Sequence, residues 1–170
     1  PPLDTAVGGE RLTCQLVDVT LCGSPETGTY TFGFDRLDRW VAMCDRVGVR
    51  YFEISHLFTQ WGAAHAPKVM VRVDGEEKKL FGWDTDATGV AYVRFLRAFL
   101  TAFLAHMRKN GNDRRCFFHI SDEPSGEQLE SYRAAKAAVA DLLEGYPVMD
   151  ALSNVDFYRQ GVVATPIPSN

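Results

Sequence analysis

Apolar and polar positions along this chain alternate between two periods, and each change of period marks an element. Residues 12–21 form a β-like run, followed by a Gly-, Pro- and Thr-rich connection through Gly33. Leu37, Trp40, Val41, Cys44 and Val47 then recur at helical spacing. Asp35 is placed to cap that helix, and Gly48 stands where a left-handed C-terminal cap belongs. "VRYFEIS", 49–55, reads as a buried strand. A second helix is predicted over 89–110, where Tyr92, Phe95, Leu96, Phe99, Leu100, Phe103 and Met107 give a wide apolar stripe and Gly111 a stop. "CFFHIS", 116–121, is the next strand. Ser125 and Gln128 have capping-box spacing for a third helix, whose inner face is Leu129, Tyr132, Val139, Leu142 and Leu143 and which ends at 145–147. "VMDALS", 148–153, is a further strand, and "ATPIPSN", 164–170, reads as a tail with little structure.

Strand, helix and strand in repeated succession predict an α/β fold with parallel strands and right-handed crossovers, either a doubly wound sheet or part of a (β/α)8 barrel. Facing patterns favour the barrel. Phe52/Ile54 and Phe118/Ile120 share one face, whereas Glu53/Ser55 and His119/Ser121 share the other, which is too polar for a sheet buried on both sides but suits a barrel lumen near its mouth. A whole barrel needs about 250 residues, so residues 1–170 are expected to be roughly half of a TIM-type barrel, a partial catalytic domain whose flanking domains lie outside it. The connection over 56–88 is too long for a simple strand-to-helix loop. It carries its own hairpin, "KVMVRVDGEEKKLF" (68–81), turning at Asp74-Gly75. Such an excursion lies on the C-terminal rim, where barrel active sites are built, and it brings His56, Trp61, Trp83, Asp84 and Asp86 toward the end of the 116–121 strand.

Composition narrows the partners. With 46% apolar and 12% aromatic residues, the chain has material for one core. The net charge of −4 and the scattering of the 18 basic residues provide no basic footprint for nucleic acid or a membrane surface. Arg94, Arg97 and His106 interrupt the longest apolar stretch, so no membrane span is expected. Cys14, Cys22, Cys44 and Cys116 lack metal-ligand spacing and read as free thiols. The Pro-Pro start without methionine implies trimming, which leaves a cytoplasmic and a secreted parent both open.

The candidate chemistry is Asp122-Glu123, set where an apolar run stops against Pro124. Glycosidases ordinarily place two carboxyl groups on opposite sides of the scissile bond, about 5–9.5 Å apart. Sequence neighbours fit that badly, since their Cα atoms are only about 3.8 Å apart. They fit a mechanism in which the substrate's own 2-acetamido oxygen attacks the anomeric carbon. One acid then holds the acetamide and the other protonates the leaving oxygen. A second reading makes the pair an acidic cluster favouring the dipole of the following helix.

"HLFTQWG" (56–62), "FGWDTDAT" (81–88) and "FFHISDEP" (117–124) resemble glycoside hydrolase family 123, the substrate-assisted β-N-acetylgalactosaminidases. The resemblance implies that Asp122 orients the acetamide and that Glu123 is the general acid/base. It also implies a glycan or glycoconjugate substrate, and no cofactor or metal. Trp61 and Trp83 are candidates for stacking on a pyranose ring, or for packing the rim. His119 is a candidate hydrogen-bond partner that sets the protonation of the carboxylates beside substrate, or a satisfied core histidine, and His56 is a candidate sugar contact like the tryptophans. Two further classes compete: a zinc hydrolase using His56, His119, Asp122 and Glu123, and a non-catalytic carbohydrate-binding relative. The hexosaminidases of family 20 also use adjacent Asp-Glu, but there a Gly-Gly precedes the pair, whereas Ile120-Ser121 precede it here.

Overall fold

The computed structural model describes residues 4–5, 9–10, 14–152 and 154–168. Two short strands, β1 (Asp4–Thr5) and β2 (Gly9–Glu10), pair with each other. β3 (Asp18–Cys22) and β4 (Thr29–Gly33) form an antiparallel hairpin, so part of the segment read as a connection is a strand. The alternation that makes it one is Thr29 and Thr31 outward, with Tyr30 buried and Phe32 partly so. α1 (Asp35–Arg46) begins one residue earlier than its expected cap. Phe34 occupies the N-cap position, and Asp35 joins Asp38 in the first turn, where their charges favour the helix dipole. Gly48 does adopt the left-handed conformation, at φ 82°.

Next come β5 (Phe52–Glu53), then β6 (Val69–Val73) and β7 (Glu76–Phe81), joined through Asp74 and Gly75 at φ 52° and 84°. Two successive positive φ values are what a two-residue hairpin requires. α2 (Val90–Lys109) and β8 (Cys116–Phe117) follow. A 3₁₀ turn at Gly126–Gln128 leads into α3 (Leu129–Ala137), which is shorter than the apolar pattern implied. Val139 and Leu143 continue its buried face from turns rather than helix. β9 (Met149–Leu152), α4 (Asp156–Arg159) and β10 (Thr165–Pro168) complete the chain. Ser153, the last residue of the expected strand, lies outside the described residues, as does part of the 12–21 run.

Apart from the β1–β2 pair, the described strands make two systems. β4, β3, β6 and β7 hydrogen-bond in that order into a mixed sheet, so the rim hairpin is not isolated. It continues the first hairpin through the parallel β3–β6 pairing. The second system is parallel throughout. β5 pairs with β8, Phe118 bridges to Val148 ahead of β9, and β9 pairs with β10. Each new strand is therefore laid beside the preceding one in sequence order. The supposed tail supplies β10, and its Pro166 and Pro168 are tolerated because, among the described residues, β10 has a ladder partner on one side only. The architecture is mixed α/β, and the described residues form no closed barrel.

α2 organises the core between the systems. Phe95 contacts Tyr30, Phe32 and Phe81, and Phe103 meets Phe118 edge-on at 6.4 Å. Contrary to expectation, the 20-residue α2 contains an 18-residue window of mean hydropathy 1.3, so by length and composition it is long and apolar enough to cross a membrane despite its charges. Its apolar face is instead spent on the core, where Tyr92, Phe95, Leu96, Leu100, Phe103, Leu104 and Met107 are buried, and Arg97 grips Asp141 through two hydrogen bonds of 2.7 Å. All four cysteines are free, Cys44 and Cys116 being buried.

Candidate functional site

The chain leaving β8 keeps strand alternation for four residues and then breaks it. Phe118 and Ile120 pack into the core, with the Phe118 ring 5.6 Å from Tyr146. His119 and Ser121 point to the opposite face and are also buried, Ser121 donating its hydroxyl hydrogen to the Thr59 carbonyl at 2.8 Å. Asp122 is half-buried and Glu123 exposed. Glu123 has φ 45°, the left-handed region that costs a non-glycine residue about 1–2 kcal/mol. The neighbours that hold it there are identifiable. The Glu123 N–H donates to the Ala151 carbonyl at 3.2 Å, and the Asp122 carbonyl accepts the Trp61 N–H at 2.9 Å. At a left-handed residue the up-and-down alternation of a strand no longer applies, so Glu123 is not constrained to the face opposite Asp122. Beyond Pro124, Ser125 and Gln128 form the expected capping box, the Ser125 N–H donating to the Gln128 side-chain oxygen at 2.8 Å.

The rim insertion begins by tying itself to this segment. Leu57 and Phe58 donate their N–H groups to the carbonyls of His119 and Ile120 at 3.0 and 3.1 Å. His56 is thereby set beside His119, ring edge to face at 5.7 Å. Burial holds the His56 pKa below its ordinary value, while the charge of Asp122 opposes that shift. Trp61, exposed and left-handed at φ 60°, stands 6.3 Å from Trp83, and His65 lies against Trp83 at 5.1 Å. The backbone bond from Trp61 brings this aromatic group next to Asp122. The two rim aspartates are committed elsewhere. Asp84 is exposed, 3.6 Å from Lys79 Nζ, and the Asp86 carboxylate accepts from the N–H and hydroxyl of Thr88 at 2.8 and 2.9 Å, which lowers its pKa and shapes the turn into α2.

Sequence reasoning missed Asp150. It lies on β9 with no exposed surface and accepts from the Ile120 N–H at 3.0 Å, from the Tyr132 hydroxyl, and lies 3.2 Å from His119 Nδ1. A lone carboxylate inside the apolar run "VMDALS" was the available signal, since a buried charge demands partners. The other ring nitrogen of His119, Nε2, is 3.2 Å from Glu53 Oε1 but lacks hydrogen-bond alignment there, so no bond joins the two. Among the described residues no three His, Cys, Asp or Glu side chains are grouped to hold a metal ion, so the zinc reading has no ligand set there. A cavity of about 440 Å³ reaches from Glu53, Ser55 and His56 to Trp40 and Phe99, bordered by neither Asp122 nor Glu123.

Parallel strands joined through helices make this a mixed α/β domain, a class in which sites are commonly built at the carboxyl ends of the strands. The sequence profile of the glycoside hydrolase 123 catalytic domain matches residues 1–170, and the chain belongs to that family. No curated protein matches it. Among solved structures, a family 123 glycoside hydrolase from Clostridium perfringens, described for glycolipid glycan hydrolysis, is similar in fold. The TM-score is 0.62 at 14% identity, over 90% of this chain and 26% of that one. The chain thus spans about a quarter of the structure it matches.

Proposed function

We propose that this chain is part of the (β/α)8 barrel of a retaining β-N-acetylhexosaminidase that removes terminal β-linked N-acetylgalactosamine from glycans or glycoconjugates. The family supports a glycoside substrate. The observation that carries the rest is the left-handed turn at Glu123, which sets two adjacent carboxylates at one strand end. In the first step the acetamide carbonyl oxygen of the substrate forms a bond to the anomeric carbon as the glycosidic C–O bond breaks. Glu123 gives its proton to the departing oxygen. Asp122 accepts the acetamide N–H and balances the positive charge growing on the oxazolinium ring. In the second step the Glu123 carboxylate takes a proton from water, whose oxygen opens the ring from the opposite side. Two inversions give net retention. Trp61 and Trp83 offer ring faces to the sugar and His56 hydrogen-bonds its polar groups, whereas His119, buried against Asp150, does not reach it.

The test uses the full-length enzyme on aryl β-N-acetylgalactosaminide and β-N-acetylglucosaminide. Galactosaminide hydrolysis is expected to dominate. Glu123→Gln should cost about 10²–10⁴-fold on substrates with poor leaving groups and much less on a nitrophenyl glycoside, whose oxygen hardly needs a proton. Asp122→Asn should be damaging on both and should weaken binding of a thiazoline mimic of the cyclic intermediate. A covalent glycosyl-enzyme trapped on either carboxylate would overturn the mechanism. Failure to cleave either glycoside would favour a carbohydrate-binding relative.

A further inference from the structure

Asp150 is wholly buried, and the reaction just outlined gives it no task. Its surroundings are more specific than the support of a strand requires. Oδ1 takes the Ile120 N–H at 3.0 Å and lies 3.2 Å from His119 Nδ1, while Oδ2 takes the Tyr132 hydroxyl and is 3.3 Å from the same Ile120 nitrogen. Tyr132 is fixed in turn, since its ring is fully buried and meets Phe157 edge-on at 5.4 Å.

The next residue of β9 completes a clamp. The Ala151 carbonyl accepts the Glu123 N–H, so residues 120–123 hang from β9 at both ends, and Trp61 fastens the Asp122 carbonyl from the rim. Releasing one end would let the left-handed turn at Glu123 relax, because nothing intrinsic to a glutamate favours it. We infer that Asp150 is a positioning residue of this site: it fixes the His119 ring and the backbone from Ile120 to Glu123, and so keeps both carboxylates presented at the strand end. This inference rests on the proposal that Asp122 and Glu123 react with substrate.

Both oxygens of Asp150 act as acceptors, which an amide cannot reproduce. Asn at 150 fits the same space, and Tyr132 can turn its proton away and accept from the new amide, so the variant has a way to fold. It must then leave either His119 or Tyr132 in an altered hydrogen bond, with an uncharged and weaker acceptor.

In the full-length enzyme, Asp150→Asn should lower kcat by about 10²-fold, as a small misplacement of reacting groups does. KM should move by less than about threefold and the melting temperature should stay near wild type. Unlike that of Glu123→Gln, the loss should be substantial on nitrophenyl substrates too, and larger still on poor-leaving-group ones, because both carboxylates are misplaced. Added to Asp122→Asn it should cost little more, because residues acting as one unit are not additive. Tyr132→Phe, which keeps the ring and removes one donor, should show the same pattern more weakly, and it decides the matter if Asp150→Asn does not fold. Wild-type kcat in a folded variant, a loss confined to KM, or a loss that only tracks the unfolded fraction would overturn the inference. If Asp122→Asn and Glu123→Gln retain full rates, the reading of the reactive pair fails. If they lose rate and Asp150→Asn does not, only the positioning role fails.

Discussion

His56 is pulled in two directions by its neighbours. Burial lowers its pKa and the Asp122 charge raises it, with His119 and Asp150 adding smaller effects of opposite sign. Removing the charge in Asp122→Asn should therefore shift the His56 titration to lower pH, read from its imidazole NMR signals. An unchanged titration would place Asp122 away from it. Stability follows with a definite sign. Above pH 6.5 neither folded nor unfolded chain holds the proton. As pH falls below 6.5 the unfolded chain binds a proton that the folded chain refuses, and stability drops until the folded pKa is passed. His56→Gln should flatten that part of the melting curve. At this scale Asp122 and Glu123 were legible because a double carboxylate interrupts an apolar run. Asp150 was not, because its partners Tyr132, His119 and Ile120 lie 18 to 31 residues away and meet it only after the strands pair.

At the scale of elements, Gly62 shows how the rim is fastened to the helix after the carboxylates. It has φ 101°, and a Cβ there would lie 2.5 Å from the Gln128 Cβ, while its carbonyl accepts the Ser131 hydroxyl at 2.6 Å. Gly62→Ala should cost about 1–3 kcal/mol by denaturant unfolding. It should also shift Trp fluorescence, because Trp61 is its neighbour. An unperturbed variant would show that this contact yields easily. The long helices were legible from apolar period alone, α2 to within a residue at each end. β10 was not, since two prolines in four residues hide a strand whose existence depends on β9 as partner. β4 was hidden differently: its Thr-Tyr-Thr-Phe alternation was present, but short and embedded among turn residues.

For the whole molecule, the strand succession β5, β8, β9, β10 carries more weight than any single strand, since sequential parallel neighbours are what a barrel wall requires. Polar alternation in 52–55 and 118–121 gave the expectation of a barrel, of which the described residues show a mixed α/β part, while the joining of the two hairpins into one sheet was unreadable because it links Thr20 and Leu21 to Arg72 and Val73 across some fifty residues. Among the described residues β5 and β10 each have a ladder partner on one side only, and Val47, Val49 and Tyr51 are exposed near the start of β5. The isolated 170-residue chain should therefore dimerise or aggregate and hydrolyse glycosides poorly, as light scattering and assay would show. A monodisperse, cooperatively melting, fully active monomer would contradict the partial-barrel reading.

The fastening of residues 57–61 to the backbone of His119, Ile120 and Asp122 bears on how a sugar gets in. A rim stitched to a strand at three points, and to β3 through β6, has little freedom to swing. Association of the proposed substrate should then be a single encounter with a preset rim, without a slower isomerisation after it. In stopped-flow mixing with the thiazoline, the observed rate should climb linearly with inhibitor concentration, and a plateau would mean that some other part of the enzyme has to move first.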